Sequence, residues 1–318
     1  MAVPPLPPVP QIPHRSRVGE VVAGRYKLLA MLDHGGQGAV YRAVDTQGGD
    51  DVAVKILSDA IADDPEWRER MLREAQALTE LVGTAAVRLL DQTYTEDGAV
   101  CIVMEFLRGR DFEDHLRSYE NEGYLFPVDE LVQVIDPIVD TLELAHSRGI
   151  VHRDLKPGNL YLVDGTHGME VRLLDFGFAK FLQKPSVTHA GMVAGSPSYI
   201  APESWKGQTP DHRVDVYGLG AVVFRALAGA PPFSSSSLGE MLDLVTRVER
   251  PSLCAQRTDL PTVIDAWVAR ALCIDREERF QNVRALWTAL LGILKLEAGR
   301  SSYRGPGFAP SLRPQQQP

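Results

Sequence analysis

The sequence predicts an α+β fold in which a small strand-rich lobe with one helix precedes a larger, mainly helical lobe. Two patterns predict it. From Tyr26 the text runs in short β-like stretches, YKLLAML, GAVYRAVD, DVAVKIL and later AVCIVMEF, with turn residues between them. After Phe106 the apolar residues recur about every 3.6 positions through DELVQVIDPIVDTLELAHSRG, VDVYGLGAVVFRALAG, LGEMLDLVTRV, PTVIDAWVARAL and VRALWTALLGIL. Strands first and helices afterwards, without regular alternation, is the α+β order.

Each element follows along the chain. The N-terminus, MAVPPLPPVPQIPHRSR, is studded with proline and lacks the continuous apolar stretch of a secretory signal, so residues 1–24 read as a disordered tail. The PxxP spacing in PPLPPVP reads as a spacer. The small lobe is expected over residues 25–107, and in its DVAVKIL run strand alternation turns Ala53 and Lys55 to one face. Its helix is DPEWRERMLREAQALTELV, where Met71, Leu72, Ala75, Leu78 and Leu81 recur at helical spacing. The large lobe is expected over residues 108–298. Its most apolar stretches, VYGLGAVVFRALAG and LWTALLGILKL, fall short of the ~20 residues that span a bilayer and read as buried helices. Residues 299–318, rich in Pro, Gly and Gln, read as a second disordered tail. No repeat of fixed period is present.

Composition narrows the function. With 318 residues and 44% hydrophobic content the chain can bury a substantial core. A formal charge of −9 argues against a general nucleic-acid or membrane-surface role, so any phosphate binding has to be local. Cys101, Cys254 and Cys273 are far apart and form no CxxC pair, which points away from zinc or a disulfide framework and toward a reducing, cytoplasmic setting.

The chemistry concentrates in HRDLKPGN, His152 to Asn159, and in DFG, Asp175 to Gly177. Phosphoryl transfer needs a carboxylate to orient the incoming hydroxyl and oxygen ligands to hold Mg²⁺ against an anionic nucleotide. Alone, an HRD reads as a surface ion pair and a DFG as a turn. Together and in this order they supply acid, amide and acid for one site.

On these motifs the chain resembles the eukaryotic-type (Hanks-type) Ser/Thr protein kinase family, including its bacterial members, from about Tyr26 to Leu296. The resemblance implies the bilobal protein kinase fold, a small antiparallel β-sheet lobe with one helix plus a larger mainly α-helical lobe. It implies that Asp154 orients the substrate hydroxyl, that Asn159 and Asp175 bind the metal ions, and that Lys156 neutralises the phosphate in flight. A Lys two positions after the catalytic Asp looks like the Ser/Thr-directed subclass. Lys55 of VAVK would hold the α- and β-phosphates, fixed by Glu74 of REAQAL, which the apolar Leu78 one turn later places on the inward stripe.

In LDHGGQGAV, Gly35, Gly36 and Gly38, with Val40 following, resemble the lid over the phosphates, where backbone N–H groups approach the oxygens. Asp33 replaces that motif's first glycine and is mildly repulsive to the nucleotide. Such a glycine cluster is also the sign of a hairpin turn. Met104 looks like the guard of the adenine pocket, with Glu105 and Leu107 supplying backbone bonds to the base, Val40 and Ala53 its roof and Tyr161 its floor. Asp111 is either a ribose contact or the N-cap before FEDHL. Further on, GSPSYIAPE resembles the substrate-docking loop, with Ser196 set to bridge Asp154 and Lys156. Glu203 is expected to pair with Arg279, and Asp215 to brace the backbone of His152 and Arg153.

The expected activity is transfer of the ATP γ-phosphate to Ser/Thr hydroxyls of proteins, with ATP and Mg²⁺ as cofactors and autophosphorylation of the activation loop at Thr188, ahead of Ser186 and Ser198. Ala190 stands where bacterial relatives often carry a second threonine. The alternative is a pseudokinase acting as a nucleotide-binding or scaffold module, favoured by Asp33 and by VGTAAV in place of a histidine-proline-asparagine turn. A small-molecule phosphotransferase is disfavoured by the docking loop, Lys156 and Asp215. The expected partners are ATP and protein substrates, with no nucleic acid and no membrane; oligomeric state stays open.

Overall fold

Alternating apolar residues in the β-like runs produce a sheet with one dry face. In a computed structural model, which describes residues 16–35, 38–57, 79–165, 168–176 and 197–300, these residues divide into two compact units. The first takes residues 16–57 and 90–106, and the second takes 79–89 and those from 107 on.

The first unit is a sheet in the order β1-β2-β3-β4-β6-β5, made of β1 (Val21–Val22), β2 (Tyr26–Gly35), β3 (Gly38–Asp45), β4 (Asp51–Leu57), β5 (Leu89–Tyr94) and β6 (Val100–Glu105). Strands β1 to β4 and β6 pair antiparallel along that order. One face buries Ala39, Tyr41 and Ala43 of β3, Val52, Val54 and Ile56 of β4, and Cys101 and Val103 of β6 in a single core with Tyr26 and Leu28. The sheet curls until its two ends meet. The Tyr26 hydroxyl donates to Asp91 of β5 at 2.7 Å, and Arg17 reaches Asp97 in the β5–β6 turn at 3.0 Å. Burial and the Asp91 bond push the Tyr26 phenol up to about 12.

The expectation of a disordered tail through residue 24 is corrected for residues 16–24. Val21 and Val22 pair with Lys27 and Tyr26, and Arg17 N–H reaches the Tyr41 hydroxyl at 3.4 Å. Apolar Val22 fills the core, and the proline run that suggested a tail stops at Pro13. Of the predicted helix over residues 64–82, residues 64–78, Glu74 among them, lie outside the described residues, and Thr79–Leu81 form a short 3-10 turn.

The second unit holds helices α1 (Phe112–Asn121), α2 (Val128–Ser147), α3 (Pro202–Trp205), α4 (Arg213–Ala228), α5 (Leu238–Arg247), α6 (Ile264–Ala271) and α7 (Val283–Arg300). A small sheet joins β7 (Gly109–Asp111), β8 (Leu160–Gly165) and β9 (Gly168–Leu173) in that order. Helix α4 is buried along its length from Val214 to Ala228, the pattern of a central helix. Gly218 lets it press on the HRDLKPGN loop, since a methyl group there would lie 2.9 Å from Leu155 Cβ.

Two boundaries move. The VGTAAV stretch, placed in the small lobe by sequence, belongs to the second unit. Ala85 N–H donates to the Thr141 hydroxyl of α2 at 2.9 Å, and Ala85 and Val87 exchange backbone bonds with Leu173 of β9. Leu107 also falls in this unit, and α7 runs on to Arg300, past the expected end at 298. No described helix is long and apolar enough to cross a membrane.

Candidate active site

The second unit builds its site from one buried carboxylate outward. Asp215, in the first turn of α4 and 1% exposed, accepts the His152 N–H on Oδ2 at 2.8 Å and the Arg153 N–H on Oδ1 at 2.7 Å. His146 of α2 also donates to Oδ2, from Nε2 at 2.8 Å. Burial by itself raises a carboxyl pKa. The His146 hydrogen bond and the Arg153 amide outweigh it and hold Asp215 below the ordinary range, so it is ionised. These bonds keep Arg153 at φ 64°, a left-handed conformation that a non-glycine residue rarely takes.

His152 is the second fixed point. Fully buried, it is held below its usual pKa by desolvation and stays neutral. Nε2 donates to the Leu174 carbonyl at 2.8 Å, and Nδ1 accepts the Asp154 N–H at 3.2 Å, which defines the tautomer. Its ring lies 4.7 Å from that of Phe176. The Leu174 N–H donates to the Asn159 carbonyl at 2.8 Å, so the segment ending in Asp175 is tied to both ends of the HRDLKPGN loop. Asp175 itself sits at φ 50°.

Asp154 is gripped where that loop turns. Lys156 Nζ and Asn159 Nδ2 both reach its Oδ2 at 3.1 Å, and Asn159 Nδ2 also donates to the Asp154 carbonyl at 2.7 Å. Asn159 is 4% exposed. Because its NH₂ faces Asp154, its carbonyl oxygen is the end left for a cation. That oxygen and the Asp175 carboxylate are hard donors of the kind Mg²⁺ takes, so the residues fit that ion.

The Glu203–Arg279 pair expected after the GSPSYI segment is present. Glu203 and Arg279, 3% and 1% exposed, form a two-pronged pair at 2.9 and 3.0 Å. The guanidinium also donates to the Cys273 and Arg213 carbonyls, which uses all five of its N–H groups. Ser186, Thr188, Ala190, Ser196 and Gly177 lie outside the described residues.

In the first unit, the face opposite the core carries the predicted nucleotide residues. Val40 pairs with Lys55, Ala53 with Met104 and Lys55 with Ile102, so all of them point one way, with Lys55 5% exposed. Glu105 ends β6 beyond Met104. Gly35 and Gly38 close the β2–β3 hairpin, and Gly36 lies outside the described residues. Gly38 is required by the sheet itself: at φ 135°, a methyl group there would lie 2.1 Å from the Ile56 carbonyl oxygen. Asp33, exposed, accepts the N–H of its neighbour His34 at 2.8 Å.

Asp111 takes the capping role. Its carboxylate accepts the Asp114 N–H at 2.8 Å at the start of α1, and burial raises its pKa. It faces Tyr161 across β7 and β8, and the Tyr161 hydroxyl donates to the Gly109 carbonyl at 2.9 Å. Leu107 lies two residues before β7.

Sequence reasoning missed His146, the Leu174 carbonyl, Thr141 and Gly109. A methyl group at Gly109 would lie 1.9 Å from the Leu162 carbonyl oxygen, and a glycine inside a short strand is the signal for such an approach. His146 and Thr141 are two more polar residues in an amphipathic helix, with nothing in the pattern of α2 to set them apart.

The protein kinase domain family model matches residues 26–286. Similar proteins include serine/threonine-protein kinase pkn3 of Myxococcus xanthus, 31% identical over 87% of this chain. PknH of Mycobacterium tuberculosis is 35% identical over 84%, and PrkC of Bacillus subtilis 32% over 83%. The chain spans only about half or less of these relatives, 51%, 41% and 40% of their lengths. The solved kinase domain of Mycobacterium tuberculosis PknI superposes with a TM-score of 0.69 at 29% identity, over 90% of this chain and 100% of that one. The fold is the two-lobed protein kinase fold, and the chain belongs to the protein kinase domain family.

Proposed function

We propose that the chain is a Ser/Thr protein kinase that moves the γ-phosphate of ATP to Ser and Thr hydroxyls of proteins, its own Thr188 among them. The observation that carries this reading is the Asp154 carboxylate held by Lys156 and Asn159, with the Asp175 segment tied to the same loop. A carboxylate fixed this way orients an incoming hydroxyl and takes its proton as the bond to phosphorus forms. Lys156 offsets the negative charge on the transferring group. Mg²⁺, when bound by Asn159 and Asp175, screens the charge of the phosphates.

Lys55 is assigned to the α- and β-phosphates with Glu74 as its partner, and Gly35, Gly36 and Gly38 to the phosphate lid. Val40, Ala53, Met104, Glu105, Leu107 and Tyr161 are assigned to the base, and Asp111, which also caps α1, to the ribose. The kinase domain is assigned to residues 25–298, with the Val21–Val22 strand paired onto it. A cytoplasmic setting is assigned to it, which its use of ATP and three free thiols, Cys101, Cys254 and Cys273, support.

The test is incubation with labelled ATP, Mg²⁺ and a generic acceptor protein, followed by phosphoamino-acid analysis. Label on Ser and Thr is expected. Nucleotide binding without transfer would establish the pseudokinase reading instead, and label on Tyr would overturn the substrate class.

A further inference from the structure

The apolar run VYGLGAVVFRALAG of α4 carries one charged residue, Arg225, which the phosphoryl-transfer chemistry does not use. It is 4% exposed. Its Nη2 meets Glu113 Oε1 at 2.8 Å, and its Nη1 meets Glu120 Oε1. The two carboxylates stand seven residues apart, two turns along one face of α1, so a single guanidinium spans the helix. Burial alone would lower the Arg225 pKa. The bonds to Glu120 and Glu113 outweigh it, so the cation persists.

We propose that Arg225 is a specificity-determining residue: by pairing with both Glu113 and Glu120 it offsets the negative charge that α1 would otherwise present to the substrate, so that the chain takes Ser/Thr peptides without requiring basic residues beside the acceptor. The inference deepens the kinase reading and rests on it.

The place of the trio is the first support. Helix α1 lies against the Pro157–Asn159 turn of the HRDLKPGN loop, and α4 lies against the Pro197–Tyr199 turn, in the segment assigned to substrate docking. The Tyr199 phenol is pushed up by its burial and next by Glu113, and it also feels Arg225, Arg117 and Glu120. Charges act over about 8 Å at physiological salt, so those that reach Tyr199 also reach a peptide lying beside it.

The balance of charge is the second. The Glu113 and Glu120 side chains are 23% and 22% exposed, so each carboxylate has a side turned to solvent. Two carboxylates and one guanidinium leave one negative charge where α1 alone would show two. Arg117 lies 3.3 Å from Glu113 one turn along, but it is mostly exposed, and such a pair is worth little.

A clamp between α1 and α4 explains less. One carboxylate would neutralise one guanidinium, and apolar residues of similar volume would hold the two helices as well. The second carboxylate is the feature a clamp leaves over.

The experiment uses the full chain and Ser/Thr peptides in which Arg, Asp or Ala is scanned through the positions flanking the acceptor. It reads kcat/KM for phosphate transfer and, with no ATP present, peptide affinity by fluorescence anisotropy. Wild type is expected to treat Arg and Ala peptides alike, within about threefold. Arg225→Met is expected to favour Arg over Ala by about 10-fold at one or more positions in both readouts. Adding Glu113→Gln and Glu120→Gln to it should return the ratio to that of wild type.

Because two stranded carboxylates can unfold the chain, Glu113→Gln with Glu120→Gln beside an intact Arg225 forms the reciprocal arm. The uncovered cation is expected to favour Asp over Ala by several-fold. Loss of a clamp would lower stability and leave these ratios alone. A wild type that already prefers Arg peptides by about 10-fold would overturn the proposal, as would unchanged ratios in either folded variant. Anisotropy needs no catalysis, so a wild type that binds peptides without phosphorylating them would sink the kinase reading and still report the charge preference.

Discussion

In the second unit, Asp154 is placed by a chain of part-buried polar contacts from Asp215, His152, Lys156 and Asn159. In the first unit, strand alternation sets the direction of Lys55, one of several residues turned away from the core by the register of β3, β4 and β6. The helical unit fixes single atoms and accepts a strained backbone at Arg153 and Asp175 to do so. The sheet fixes a face. A site built by network fails when one donor is lost, whereas a site built by pleat fails only when the strands themselves are pushed apart.

That contrast can be broken at its strongest point. Arg279→Met leaves Glu203 buried with no cation, and the expected loss is about 3–5 kcal/mol of unfolding free energy, read by urea denaturation. Pairing it with Glu203→Leu removes the stranded charge and should recover a large part of the loss. No recovery would mean that the pair acts through something other than charge burial.

A smaller effect sharpens the other side. Gly38→Ala drives a methyl group into the Ile56 carbonyl, and a loss of about 1–3 kcal/mol is expected. Gly35→Ala meets nothing within 4 Å and should stay within about 0.5 kcal/mol of wild type. Equal losses at both positions would show that the hairpin's glycines serve something other than the approach of β4.

The sequence displayed the sheet well, because alternation is written residue by residue: Ala53 and Lys55 were assigned to one face from DVAVKIL, and the register adds Val40 and Met104. It displayed the loop chemistry equally well, since acid, lysine and asparagine stand within six residues of one another, from Asp154 to Asn159. Partners far apart in the chain were legible only through family resemblance, as with Glu203 and Arg279 or Asp215 and the HRD backbone. His146 and the Leu174 carbonyl stayed hidden. One is a polar residue in an amphipathic helix and the other a backbone atom, and neither carries a pattern that spacing can report. The segment 16–24 was misread because proline in the first 13 residues coloured what followed, although Val22 was already an apolar residue awaiting a core.

The central claim is that Asp154, gripped by Lys156 and Asn159, performs the proton step of phosphoryl transfer. Its most direct test is phosphate incorporation from labelled ATP and Mg²⁺ by Asp154→Asn beside wild type, with melting temperature and nucleotide affinity measured on the same preparations. Incorporation is predicted to fall by about 10²- to 10⁴-fold while both other properties hold. Equal incorporation by the two proteins would contradict the account.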